Sequence, residues 1–224
     1  MNDQKYLYAM QQEIKPALGC TEPIAVALAV AKAKETLGCL PQRVELWVSC
    51  NILKNAMGVG IPGTGMIGLP IAIALGALIG KSEYQLEVLK DSTPEAVEEG
   101  KKLIDAQAIN IGLKYGIEEK LYIEIICEAE GKKATAIISG GHTNFVYVAR
   151  DGEVLVNKQT SATDEAAADD VELTLRKVYD FATTSPIEEL KFILETRNLN
   201  KKAAERSFKG NYGHQLGKTL NSKK

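Results

Sequence analysis

The sequence predicts an α+β protein: central apolar helices, an antiparallel β-sheet over about residues 109–157, and helices again towards the C-terminus. Three observations carry this. Residues 23–37 and 66–79 are nearly all small or apolar, which suits helices buried on every side. After Ile109 the hydrophobic period changes from helical to two. Beyond Asp164 the chain becomes helix-compatible, acidic at first and basic after Lys201.

The elements follow in order. Lys5 to about Lys15 suits a first helix that Pro16 ends. A second opens at Thr21-Glu22-Pro23, with Thr21 as its cap and Glu22 at the positive end of the dipole, and stops at Gly38. Val44–Val48 alternates apolar and charged residues and reads as a strand. A glycine-rich stretch from Gly58 leads into an apolar helix ending near Gly80, and Ser92-Thr93-Pro94-Glu95 starts another helix. Four strand-like runs, LYIEIICEAE, KATAIISG, TNFVYVAR and EVLVN, are separated by turns at Glu130-Gly131, Gly140-Gly141 and Asp151-Gly152. They predict a sheet covered by helices on one face. Helices follow at about 168–184 and 186–196. The chain thus divides into a mainly helical segment 1–108, a sheet 109–160, and a helical segment 161–224 that reads as the start of something unfinished.

Composition narrows the function. The 224 residues carry 27 Lys and Arg against 29 Asp and Glu, a formal net charge of −2. So balanced a chain has no global field for a polyanion, which argues against nucleic-acid binding. Cys20, Cys39, Cys50 and Cys127 are too few and scattered for a disulfide scaffold, and no CxxC offers a zinc site. The charged N-terminus lacks a signal-peptide core, so a cytoplasmic location is expected. Gly58–Gly80 is 23 residues without a charge, long enough to span a bilayer, but seven glycines and two prolines break it. A helix buried in a protein core is the better reading.

GVGIPG (Gly58, Gly60, Gly63) matches the dinucleotide string only as text. NILKNAM separates it from the preceding strand, Pro62 sits where a helix should open, and no GK[ST] follows. A backbone turn that packs tightly or cradles a small anion fits better, with Thr64 beside amides at a helix start as a carboxylate grip. GCTEP places Cys20 just ahead of a helix N-terminus, where the dipole favours a thiolate able to bind metal or attack. A buried inert cysteine is the plain alternative. SGGHTN puts Ser139, His142, Thr143 and Asn144 at one hairpin tip, more polar side chains than a turn requires. Lys54, between Asn51 and Asn55, is either a solvated lysine or a cation poised for proton transfer.

Three strings, KPALGCTEPIAVALA, SCNILKNAMGVGIPGTGMIG and ISGGHTN, together resemble the serine dehydratase-like alpha family, specifically its L-cysteine desulfidase branch. The resemblance covers essentially the whole chain, which corresponds to the N-terminal half of a typical member. It implies an oxygen-sensitive iron–sulfur lyase of cysteine catabolism and amino-acid degradation, an L-cysteine desulfidase or L-serine dehydratase. It further implies a 4Fe–4S cluster in the complete enzyme, with Cys20 as one ligand and two more ligands in the other half. Under it, Asn51, Asn55, the PGTG loop (Pro62, Gly63, Thr64, Gly65) and the SGGHTN turn (Ser139, Gly140, His142, Thr143, Asn144) hold the amino-acid substrate. Lys54 is the candidate catalytic base. The partner is the other half, as a segment or a subunit, and a homodimer is the further expectation. Apolar surface is expected around residues 58–80, and Thr64 and His142 should share a concave anion site. The chain alone should be inert. Two alternatives stand beside this: a non-catalytic binding module acting with a partner, and a nucleotide-dependent oxidoreductase.

Overall fold

The computed structural model describes residues 3–158 and 173–223. They fall into two compact units, one of Ala17–Ser161, the other of Met1–Pro16 with Ala162–Lys224.

In the first unit, helix α2 (Thr21–Leu37) begins after Cys20 and ends where Gly38 turns left-handed at φ 85°. Strand β1 (Arg43–Val48) follows. Next come α3 (Cys50–Ala56), whose Ser49 cap accepts from the Ile52 amide, and α4 (Leu69–Leu78), opened by Gly68 and Pro70. After a short 3-10 segment (Ser82–Glu87), α5 (Pro94–Asp105) starts on the Thr93 cap, whose hydroxyl accepts from the Ala96 amide. The chain then runs through β2 (Ile109–Leu113), β3 (Tyr122–Ala129), β4 (Lys132–Ser139), β5 (Phe145–Arg150) and β6 (Glu153–Asn157).

The strands form one sheet in the order β2-β1-β3-β4-β5-β6. Every pairing is antiparallel except β1 with β2, so the sheet is mixed where an antiparallel one was expected. The reason is connectivity. Between β1 and β2 lie three helices, and a crossover of that length returns the chain in the same direction. This pairing also joins the region before residue 108 to the sheet after it around one core.

Alternation decides which face that core occupies. Val44, Leu46, Val48, Ile123, Ile125, Cys127, Ala134, Ala136 and Ile138 are buried on the face covered by α2. Glu45, Trp47, Glu124, Ile126 and Ile137 point the other way and are half-buried. Helix α2 lies against β3, β4 and β5, and α4 packs between α2 and α5. Ile71, Ala72, Ile73 and Leu75 of α4 are fully buried, so the uncharged stretch is a core helix as expected. The expectation of apolar surface around 58–80 fails for α4, although Ile67 just before it is 65% exposed. Among the described residues, no helix is long and apolar enough to cross a membrane.

The second unit holds α1 (Asp3–Glu13), α6 (Leu175–Thr184), α7 (Ile187–Leu190), α8 (Ile193–Lys209) and α9 (Leu216–Asn221). Its buried apolar side chains among the described residues are Leu7 and Phe181, and the rings of Tyr6 and Phe181 lie 5.2 Å apart. The beginning of the helix expected over 168–184, and the acidic run before it, fall outside the described residues.

Candidate functional site

The three motifs converge on the first turn of α2. Gly19, at φ 88°, turns the chain into the helix and lies so close to the PGTG loop that a methyl placed on it would sit 3.2 Å from Pro62 Cγ. Cys20 is the N-cap residue, extended at φ −66° and ψ 130°, and no side chain caps the helix. Thr21 is therefore not the cap but a first-turn residue. Its hydroxyl lies 3.1 Å from His142 Nε2 and 3.4 Å from Glu22 Oε2.

Glu22 sits at the centre. The Cys20 thiol donates to its Oε2 at 2.9 Å, and Asn55 Nδ2 of α3 donates to its Oε1 at 3.1 Å. With Nε2 protonated, His142 donates to Thr21 and Thr21 to Glu22. In the other tautomer Thr21 donates to His142. Either way Glu22 ties Cys20 to α3, and Thr21 ties the same turn to the β4–β5 hairpin, across 33 and 121 residues of sequence respectively.

This geometry inverts the expected thiol chemistry. A helix N-terminus alone favours the thiolate. Here burial first, then the hydrogen bond to Glu22, push the Cys20 thiol above its ordinary value. The hydrogen bond from Cys20 is the largest cause holding Glu22 below the usual carboxylate range, with Asn55 and His142 adding to it against the opposing effect of burial. The anion nearest the sulfur is a carboxylate, so the proton stays on the thiol until something displaces it.

The PGTG loop is braced from within. The Ile61 amide donates to Met66 O and the Gly68 amide to Val59 O, closing a small hairpin. Thr64 gives its amide and hydroxyl to Ile61 O, at 3.2 and 2.7 Å, and its oxygen accepts from the Met66 amide at 2.9 Å. Thr64 was expected beside amides at a helix start, but α4 begins only at Leu69, and the Thr64 hydroxyl bonds within its own loop. Pro62, Gly63 and Gly65 at the tip are exposed. The loop follows α3 rather than a strand, so the geometry of a dinucleotide fingerprint is absent.

The hairpin tip divides its labour similarly. Ser139 is buried, its amide donates to Asn144 O, and its carbonyl accepts from Asn144 Nδ2 at 3.0 Å. Gly140 donates to Leu121 O. These residues build the turn, His142 reaches the site, and Thr143 is half-buried beside it in sequence. No hydrogen bond joins Thr64 to His142: the PGTG loop comes close to Gly19 through Pro62, and His142 meets Thr21.

Lys54 is exposed on α3 and makes no hydrogen bond or ion pair among the described residues. Asn51 separates from Asn55: with Ser49, Cys50, Lys114 and Lys120 it lines an open cavity of about 410 Å³ that contains no other predicted site residue. The sequence reading missed Glu22 as the central acceptor, assigning it only to the helix dipole. Its CTE spacing carried no signal that Asn55 would arrive to hold it.

A 4Fe–4S cluster takes three or four thiolates. Cys20 suits one such position, half-exposed at a helix start. Cys39 follows the α2 terminus, Cys50 opens α3, and Cys127 lies buried in β3 with burial pushing its thiol up to about 12. Among the described residues, no group of three or more His, Cys, Asp or Glu is placed to hold a metal. The residues present do not by themselves fit a cluster.

The chain is similar to proteins called UPF0597 proteins. It is 72% identical over 221 residues to one from Phocaeicola vulgatus, covering 99% of this chain and 51% of that protein. It is 69% identical over 220 residues to one from Bacteroides fragilis, covering 98% and 51%. An Aeromonas hydrophila relative is 42% identical over 218 residues, covering 96% and 49%. The chain thus spans about half the length of these curated relatives. No family model matches it, and no solved structure does.

Proposed function

We propose that the chain is the N-terminal half of an iron–sulfur lyase of the L-cysteine desulfidase and L-serine dehydratase type, working in the cytoplasm. The observation that carries this reading is the meeting of GCTEP, NILKN and SGGHTN at the first turn of α2, through Asn55–Glu22–Cys20 and His142–Thr21. Polar side chains from three motifs far apart in sequence meet at one half-buried helix start. Their convergence supports a binding site.

The reaction removes the α-proton and the β-substituent of the amino acid. It breaks the C–S bond of cysteine or the C–O bond of serine and leaves an enamine that hydrolyses to pyruvate and ammonia. A cluster, were one held by Cys20 together with thiolates from the rest of a relative's length, would supply Lewis acidity to the departing group. In this chain Cys20 supplies a sulfur at the site, and Glu22 and Asn55 fix its direction. The exposed amides of Gly63 and Gly65, with Thr143 and His142, are the groups suited to the substrate carboxylate. Lys54, next to Asn55, is the candidate for proton removal.

A second reading is favoured by one observation, the single thiol at the site: a non-catalytic module that lends these loops to a partner. Anaerobic reconstitution with iron and sulfide separates the two. Under the lyase reading, this chain alone forms no pyruvate from L-cysteine or L-serine. The chain combined with the rest of a relative's sequence does, and Cys20→Ala removes both iron and activity while keeping the fold. Full iron content and turnover in Cys20→Ala would overturn it. A complex that assembles without iron or turnover would leave the binding module as the better account.

A further inference from the structure

The second unit is a set of helices with little core. Its described residues bury Leu7 and Phe181, yet thirteen large apolar side chains among those same described residues are exposed. Helices of ten to seventeen residues are marginal unless tertiary packing covers an apolar face. The sharpest case is α6. Leu175, Val178, Tyr179 and Ala182 fall at i, i+3, i+4 and i+7, one continuous stripe. That spacing normally marks the side of a helix facing a core. Here Leu175 is 87% exposed, Val178 45% and Tyr179 61%, and Ala182 is exposed as well. Away from the stripe the helix is already satisfied: Phe181 is buried beside the Tyr6 ring, Thr174 caps the helix at Lys177, and Arg176 pairs with Asp180 at 3.0 Å.

We propose that this stripe on α6 is the docking face for the polypeptide that makes up the other half of the relatives' length, whether joined to this chain or supplied separately. Length identifies the occupant. Relatives at 72% and 69% identity carry about as many residues again beyond the region they share with this chain. The added residues meet a capped, amphipathic helix whose apolar side no described residue of its own unit covers. A lipid surface fits the helix less well, since its flank mixes Arg176 with Asp180 rather than presenting a basic face. The proposal rests on length and burial and not on the lyase chemistry, so association is its readout.

The test co-expresses this chain, tagged, with the part of the Phocaeicola vulgatus relative that lies outside the shared region. A one-to-one complex is expected by sedimentation. Leu175→Lys with Val178→Lys should weaken it about tenfold or more, while Thr184→Lys on the side opposite the stripe changes it less than about twofold. Photochemical footprinting of Tyr179 in the unmutated chain should fall on complex formation, a readout that needs no variant to fold. Failure to form a complex, a complex indifferent to the double substitution, or unchanged Tyr179 labelling would overturn the proposal. So would a homodimer that buries the stripe instead.

Discussion

Replacing Gly76 with Ala sets two effects against each other, a helix-propensity gain and an overpacking cost. Gly76 lies inside α4, where alanine is the better helix former by about 1 kcal/mol. Against that, a methyl at Gly76 would lie 2.6 Å from the carbonyl oxygen of Ala27 and 3.1 Å from both Ala27 Cα and Val30 Cβ. Ordinary contact is about 3.4 Å, so α2 and α4 must separate by roughly 0.8 Å. Around the contact both helices are buried, Ile24–Ala31 of α2 and Ile71–Ala77 of α4, and the obstacle is backbone, which cannot swing away. Overpacking costs about 1–3 kcal/mol, and an obstacle made of backbone places this case at about 2–3 kcal/mol, leaving a net loss of about 1–2 kcal/mol. With a urea dependence of about 2 kcal/mol per molar, the unfolding midpoint should fall by about 0.5–1 M. Trp47 is the sole tryptophan and sits in β1, so its fluorescence reports this unit. Gly100→Ala is the matched comparison in α5. Its methyl meets Ile71 Cδ1 at 3.1 Å, the movable tip of a side chain, and should be neutral or slightly stabilising. A Gly76→Ala midpoint equal to or above the unmutated one, or an equal response of the two variants, would refute the reasoning.

Two further outcomes concern the thiols. Glu22→Gln removes the anion beside the Cys20 sulfur, so the thiol's pKa should fall and alkylation of Cys20 at pH 7.5 should quicken with the circular dichroism unchanged. A slower or unaltered rate would show that Glu22 does not hold the proton there. Cys127 is the opposite case, a thiol whose folded pKa, about 12, lies above its ordinary value of 9.0. Below pH 9 both states keep the proton and nothing is gained. Between pH 9 and 12 the unfolded chain loses it first, so stability declines as pH rises, by at most about 1.4 kcal/mol per pH unit. Cys127→Ala should unfold in urea with a shallower alkaline decline than the unmutated chain, and parallel pH profiles would contradict this.

Much of the fold was legible because it rests on local pattern. The uniformly apolar runs of α2 and α4 can satisfy their surroundings only inside a core, and Thr93 and Gly38 mark helix ends by chemistry that acts within a few residues. The alternation of LYIEIICEAE and KATAIISG settles which side chains face α2. Helix α3 escaped notice because its seven residues are too few to show a period, and its Ser49 cap is recognisable only once the Ile52 amide is in reach.

The sequence by itself therefore determined the class of fold, the buried helices, and Cys20, Asn55 and His142 as residues worth watching, since each signal is written in neighbours along the chain. Only the tertiary structure decided that β1 joins the sheet beside β2, that Thr64 braces its own loop, and that Asn51 and Asn55 face different surroundings. It alone made Glu22 the shared acceptor of Cys20 and Asn55. A side chain's charge and proton depend on what lies within a few ångströms, and those neighbours come from segments that only the packing of α2 against α3 and the β4–β5 hairpin brings together.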